Sequence, residues 1–531
     1  MATPPPTLGV SIDEASSVPV YQQIAAQLRA EIERGERAPG ERLPAIRTLA
    51  RELGLHRDTV ALAYESLAES GWLEARVGSG TFVRSTVASR AEASGRSDLS
   101  ARISDGSATR SVPERGVISP ARSDREIDLA LAPQVERLIT LENTRPRYET
   151  RPDVVELHRL VPDPRFYPID EFRECVDTAL REEGPELFSY AAPQGDPKLR
   201  RALAERFRLF GIRYSPGELV LCHGASQGIS LALRLFTQPG DQVAVEVPTY
   251  ANVLSAFAGL GLTAAPVAMD EKGPDPDSLD RLLAKPEVKA FYTIPSFHNP
   301  LGTTSPLDRR LETLEIAQRH GVPIIEDGFE MDLRFRGPEV PPLAALDDAG
   351  IVVLLFSFSK SLFPGVRVGS ISARGRALEG LVALKHATDL SDALPLQAGL
   401  ARFVESGAYD RHLARIRKIL RSRHRALDEA LASSMPEGTT WTSPEGGYQR
   451  WVELPGQIDT RALLTEAARA GVLYSPGMLF MPDARPSSAM RLTVSGADEE
   501  EIKRGVAALG AVVGASTGLR TVVGRTGGMH L

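Results

Sequence analysis

The run Ile351-Val352-Val353-Leu354-Leu355-Phe356-Ser357-Phe358-Ser359-Lys360 decides the fold of most of this 531-residue chain. An unbroken apolar stretch this short, too short for a buried helix, reads as a strand covered on both faces. Comparable runs stand at 219–222, 243–247, 290–294 and 323–326, and helical patterns separate them. Buried strands alternating with helices predict a mostly parallel sheet with helices on both sides. From about Leu396 the pattern changes to long helices, then mixes helices with strands at 448–454 and 490–494, as a smaller α+β subdomain would.

The run ends on Lys360, and lysine is rare here, with eight among 62 basic residues. Arginine serves wherever a plain positive charge suffices, so a lysine closing a buried strand needs its own explanation. The ordinary one is a side chain that snorkels to water. The chemical one is a desolvated amine with a lowered pKa, available to form a Schiff base. The surroundings favour chemistry. Arg367, in Pro364-Gly365-Val366-Arg367-Val368-Gly369, is a fork-shaped donor suited to a phosphate. His223-Gly224-Ala225-Ser226-Gln227-Gly228 follows a strand and opens a helix, so its backbone N–H groups and the Ser226 hydroxyl make an anion site. Asp327 closes Pro323-Ile324-Ile325-Glu326-Asp327 at the strand edge where open α/β sheets place ligands. A carboxylate there can keep a pyridine nitrogen protonated, which makes the ring an electron sink. Schiff-base lysine, phosphate cradle and pyridinium partner together specify pyridoxal 5′-phosphate.

The first 84 residues read differently. Three helical patterns, the first over 18–34, precede a hairpin with a Gly78-Ser79-Gly80 turn, the order of a winged helix-turn-helix. Val60, Ala63, Tyr64 and Leu67 fall at helical spacing in its third helix. Arg57 and Thr59 open that helix, where first-turn residues face base edges in a major groove. Arg47 can hold a phosphate, and Gly80 lets the wing approach a backbone closely. Nine arginines against eleven acids leave these residues at a net of −2, and the whole chain at −7 with a pI near 5.9. Such a balance argues against a broad electrostatic hold on nucleic acid, so placed arginines such as Arg42, Arg47 and Arg57 must matter more than the sum.

Residues 85–150 are rich in Ser, Ala, Arg, Gly and Pro and predict a flexible linker, with a short helix near 127–141. Residues 516–531 predict a disordered tail. Cys175 and Cys222 cannot build a disulfide framework or a four-thiolate metal site, and no metal cluster is expected. The first residues lack the charged and apolar regions of a signal peptide, and no stretch spans a bilayer, which points to the cytoplasm.

Residues 29–83 resemble the GntR-type winged helix-turn-helix. The likeness rests on Pro39-Gly40-Glu41-Arg42-Leu43-Pro44, Arg47-Thr48-Leu49-Ala50, Leu53-Gly54-Leu55, Arg57-Asp58-Thr59-Val60, Tyr64, Leu67, Gly71 and 78–83. Residues 154–513 resemble the fold-type I aminotransferases. They do so through Ser189-Tyr190 to Gly195, Glu246-Val247-Pro248-Thr249-Tyr250, Pro295 with His298-Asn299-Pro300-Leu301-Gly302, Gly446-Gly447 and Met490-Arg491-Leu492. That resemblance implies that Lys360 carries the internal aldimine and Asp327 pairs with the ring nitrogen. It also implies that Tyr250 stacks on the ring and Asn299 bonds its 3′-oxygen. Ala225, Ser226, Gln227, Ser357 and Arg367 would hold the phosphate, Tyr190 would reach in from a second subunit, and Arg491 would take a substrate carboxylate. Where that family usually has a tyrosine two residues after the ring aspartate, this chain has Phe329.

Joined in this order, the two parts resemble the MocR/GabR family of bacterial transcription regulators. The resemblance implies a head-to-tail homodimer that binds operator DNA and senses a small amine or amino acid through an external aldimine. Two alternatives stay open: a working aminotransferase, favoured by Asn299 and Arg491 and disfavoured by Phe329, and a regulator that senses the cofactor itself.

Overall fold

In the computed structural model the described residues are 12, 20–38, 40–55, 57–69, 72–76, 80–84, 130–146, 148 and 151–517. They form two compact units that divide after Asp124.

The N-terminal unit holds α1 (Val20–Glu33), α2 (Ile46–Glu52), α3 (Arg57–Glu69) and a hairpin of β1 (Leu73–Arg76) and β2 (Gly80–Val83). The stripe Val60, Ala63, Tyr64 and Leu67 turns inward against Ile24, Leu28 and Leu49. Gly54, between α2 and α3, takes a φ of +67°, the left-handed conformation that glycine adopts at least cost. Residues 40–44 of the Pro39 to Pro44 motif serve as a third edge of the wing, and Pro39 lies outside the described residues. Leu43 N–H donates to the Thr81 carbonyl, Val83 N–H donates to that of Glu41, both at 2.9 Å, and the Tyr64 hydroxyl ties Pro44 down at 3.0 Å. Gly71, Gly78 and Ser79 and the Arg47 side chain lie outside the described residues.

The C-terminal unit begins earlier than composition suggests. A helix, α4, spans Pro133–Thr144 rather than 127–141; Ala132 is extended and a proline occupies the first turn, so the helix starts there. Residues 127–129 of the expected helix lie outside the described residues. Residues 133–146, expected within the flexible linker, are ordered against this unit. Composition hid this because none of the α4 residues is fully buried. Its contact is one-sided, with Leu138 set against Gly259. At the other end, the helix Glu499–Thr517 runs past the boundary expected at 515, and 518–531 lie outside the described residues.

The central sheet has seven strands: β3 (Leu219–Cys222), β4 (Gln242–Glu246), β5 (Thr263–Val267), β6 (Val288–Thr293), β7 (Ile324–Asp327), β8 (Val352–Ser357) and β9 (Gly369–Ser372). Their order is β3-β9-β8-β7-β6-β4-β5, parallel except for β9, which runs antiparallel to both its neighbours. β8 is buried along its whole length. Its Leu354 and Phe356 join one core while Val353 and Leu355 join another on the opposite face, which is why the run carries no polar alternation. Helix α5 (Gly224–Phe236) follows β3, and α6 (Ala251–Leu260) follows β4 and packs against α4. A second, antiparallel sheet sets β10 (Gln449–Glu453) beside β11 (Ala489–Thr493), and the long helices Ala408–Ser434 and Glu499–Thr517 pack together in the same C-terminal part.

Candidate functional site

The C-terminal ends of β7 and β8 and the first turns of α5 and α6 open onto one cavity of about 330 Å³. Ala225, Ser226, Tyr250, Asn299, Asp327, Ser357, Lys360, Arg367 and Arg491 all line it. Residues separated by up to 266 positions in the chain therefore share one space.

At one end the first turn of α5 offers its unsatisfied N–H groups beside Ser226. A Cβ on Gly224 would stand 3.2 Å from the Arg367 guanidinium, so glycine lets that side chain lie against the turn. Arg367 has a left-handed φ of +48° and donates to the His223 carbonyl at 2.8 Å. Gln227 differs from expectation. Its side chain does not line the cavity, because it accepts from His223 N–H at 2.8 Å and donates to Asp389 at 2.6 Å. Only its backbone remains available to an anion. Behind the turn, His223, Asp389 and Asp392 lie close enough to hold a metal, but the buried Lys385 ammonium already sits 2.7 Å from Asp389 and 2.6 Å from Asp392.

At the floor, Asp327 accepts from the Tyr292 hydroxyl at 2.6 Å and from Phe329 N–H at 3.2 Å. Burial pushes its carboxyl up to about 6 despite both donors. This group needs a cation to sit comfortably ionised. Tyr292 was missed by sequence; it is one apolar-looking residue of β6, and only its register beside Ile325 of β7 brings it to Asp327.

Lys360 Nζ donates to the Leu160 carbonyl at 2.5 Å. Burial lowers its pKa, with Arg491 and Arg367 pushing the same way and the Glu330 carboxylate opposing them. Glu330, also missed by sequence, is fully buried, and burial raises its carboxyl well above the usual range against the opposing pull of the Lys360 amine, the Gln449 side chain and the Tyr448 backbone.

Arg491 is on β11 and is buried. It donates to Asn299 Oδ1 at 3.0 Å and to the His158 carbonyl at 2.8 Å, and its guanidinium lies over the Phe480 ring. No carboxylate among the described residues comes within ion-pair distance, and burial lowers its pKa to about 10. A buried cation without a countercharge is costly unless a ligand supplies one. With Asn299 Oδ1 occupied, the group Asn299 can offer is its NH2. Phe329, Leu160, Asn252, Ser359 and Phe480 complete much of the wall. Tyr190 is not on this wall and is 85% exposed.

These features fit pyridoxal 5′-phosphate: an amine whose pKa burial lowers, an anion turn, a carboxylate awaiting a cation and a buried hydroxyl, Ser359 Oγ, with no partner. Asp327 gives a pH signature. Its folded pKa is raised, so the fold pays nothing for it below about pH 4, and the penalty grows as pH climbs through 6. Asp327→Asn in cofactor-free protein should therefore gain on the order of 2 kcal/mol at pH 7.5, shrinking toward pH 4. Melting curves across that range check it; a pH-independent difference rules the mechanism out.

In the N-terminal unit Arg57 opens α3 and is exposed, and Thr59 in the same turn is half-buried. Arg42 is exposed on the segment bridged to Phe82, and Gly80 begins β2. Arg37 meanwhile pairs with Glu31 at 2.9 Å and Glu41 at 2.8 Å, so part of the acidity is spent internally.

Residues 166–509 match the family model for aminotransferase class I and II, and residues 20–83 match that for bacterial regulatory proteins of the gntR family. The chain is 27% identical over 499 residues to the probable rhizopine catabolism regulatory protein MocR of Rhizobium meliloti, covering 94% of each. It is 32% identical over 480 residues to the HTH-type transcriptional regulator TauR of Rhodobacter capsulatus, covering 89% of this chain and 92% of that one. Among solved structures, the multiple substrate aminotransferase of Thermococcus profundus is 33% identical with a TM-score of 0.66, covering 73% of this chain and 96% of that one.

Proposed function

The chain belongs to the aminotransferase class I and II family and, through its gntR head, to the MocR-type transcription regulators; from that premise we propose that it senses an amino acid in its pyridoxal 5′-phosphate domain and alters DNA binding in response. The observation that carries the effector assignment is Arg491, a buried cation with no carboxylate of the described residues in ion-pair distance, on the wall it shares with Lys360.

When bound, the cofactor supplies an aldehyde to a primary amine and, with its ring nitrogen protonated, an electron sink. Lys360 is the residue that holds it covalently, since burial favours the neutral, nucleophilic amine. Asp327, oriented by Tyr292, keeps the ring nitrogen protonated. Tyr250 would lie against the ring, and the Asn299 NH2 would donate to the 3′-oxygen. Ser226, Ser357, Arg367 and the N–H groups of Ala225 and Gln227 would hold the phosphate. Arg491 exchanges a neutral acceptor for the effector carboxylate, a stronger, charge-assisted bond. Leu160, Leu479 and Phe480 give the neighbouring wall an apolar character.

A homodimer completes each site with Tyr190 of the partner subunit. Phe188 and Tyr190 are 75% and 85% exposed, which supports a second copy covering them. In this reading Arg42, Arg47, Arg57, Thr59 and Gly80 face DNA. No described helix is long and apolar enough to cross a membrane, and in this reading the protein works in the cytoplasm beside its DNA. Turnover as an aminotransferase is the weaker reading.

The test is a titration of operator DNA by cofactor-loaded, full-length protein against a panel of amino acids and their decarboxylated amines. At least one amino acid should shift DNA affinity. Arg491→Met should weaken that amino acid by roughly 30-fold or more, the scale for removing one partner of a buried charged pair, and leave its amine counterpart little changed. Equal loss for acid and amine overturns the role of Arg491.

A further inference from the structure

Helix α4 is the first described element after the head, and its end reaches the cofactor cavity through side chains. Arg145, which caps α4, donates through Nη2 to Asn252 Oδ1 at 3.2 Å and to Ser255 Oγ at 2.6 Å. Asn252 Nδ2 donates in turn to the Tyr250 hydroxyl oxygen at 3.0 Å. Asn252 and Tyr250 both line the cavity; Arg145 does not.

The direction of this chain is fixed by its outer member. A guanidinium has donors and no acceptor, so the Asn252 carbonyl must face Arg145 and its NH2 must face Tyr250. The Tyr250 oxygen then accepts, and its own proton is left to donate toward the cavity. Remove Arg145 and the amide is free to turn over. A second contact lies three residues on: the Tyr148 ring packs on His158 with centroids 4.1 Å apart, its hydroxyl donates to the Tyr474 carbonyl at 2.8 Å, and the His158 carbonyl accepts from Arg491. The stretch that leaves the linker thus touches both walls of the site. Its hold is otherwise slight, because no α4 residue is fully buried and a helix of 12 residues is marginal alone.

We propose that Arg145 is the positioning residue through which the linker reads the cavity: occupancy sets the bonding of Tyr250, Asn252 relays it, and Arg145 tightens or releases α4 on α6. This deepens the regulatory reading above and rests on it. The relay needs no backbone displacement, since hydrogen-bond chains polarise cooperatively and a single amide orientation is at stake.

The experiment measures hydrogen exchange in peptides covering 133–146 of the full-length protein, with and without saturating pyridoxal 5′-phosphate. In the wild type the cofactor should slow exchange there by about tenfold, equivalent to roughly 1.4 kcal/mol. Arg145→Met should still take up the cofactor, read by its absorption, and lose that slowing. Ser255→Ala, which removes the other Arg145 bond and spares the relay, should exchange faster throughout yet keep the cofactor-dependent slowing. A wild type that takes up cofactor with no change at 133–146, or an Arg145→Met protein that responds as fully as wild type, overturns the relay alone. A wild type that takes up no cofactor overturns the regulatory reading with it.

Discussion

Lys360→Ala leaves a protein that pyridoxal 5′-phosphate no longer modifies: after borohydride reduction its intact mass is unchanged, and the absorption of covalently held cofactor is absent. The expected effect is total, because covalent capture needs a primary amine and Lys360 is the one lysine lining the cavity among the described residues. Affinity falls less than reactivity. The anion turn at Gly224, the Arg367 fork and the Asp327 carboxylate remain, so loosely held cofactor should still protect the fold against heat. Apo-protein stability should change little, since the loss of a desolvated amine that crowds Arg491 and Arg367 is offset by leaving the buried Glu330 carboxyl without its neighbouring cation. A reduced adduct at wild-type level in Lys360→Ala would show that another residue bears the cofactor.

Arg57→Ala is the second large effect, and it falls on the other unit. An arginine in the first turn of a recognition helix contributes about 1–3 kcal/mol of discrimination when it reads a base edge. Two heads on paired operator elements double that, so specific affinity should fall by roughly 30-fold or more. Binding to unrelated duplex should change little. The measurement is a titration of a duplex selected from a random pool by wild-type protein, repeated at several salt concentrations. Because the chain is acidic and its head has a net charge of −2, the salt slope should be modest in both proteins. Unchanged specific affinity in Arg57→Ala removes that residue from the interface; equal loss on all sequences makes it a phosphate contact instead.

The parts of this molecule that could be read from sequence are those where residue type and local periodicity carry the meaning. The stripe Val60, Ala63, Tyr64, Leu67 and the unalternated run of β8 each imply their burial without reference to any distant residue. Lys360 and Asp327 stand out because a rare lysine and a lone carboxylate close apolar strands. Contacts made across the fold left no such trace. Tyr292 reaches Asp327 only through the pairing of β6 with β7, and Glu330 reads as one more acid in Gly328-Phe329-Glu330 until burial isolates it. Gln227 shows the limit from the other side. Its position beside the anion turn was legible, but its side-chain direction is set by Asp389, 162 residues on. Helix α4 was misplaced because a one-sided, half-buried contact dilutes the apolar signal of a short segment in polar surroundings.

The two groups assigned to the effector stand on different sheets: Lys360 just beyond β8 in the seven-stranded one, Arg491 on β11 in the small antiparallel one. A ligand that engages both is a strut between them, and its own length from nitrogen to carboxylate becomes the quantity being gauged. A simple amine ends short of the far sheet and leaves the span open. Selectivity in such a device resides less in the shape of a pocket than in a calliper setting, fixed by how far apart two sheets come to rest.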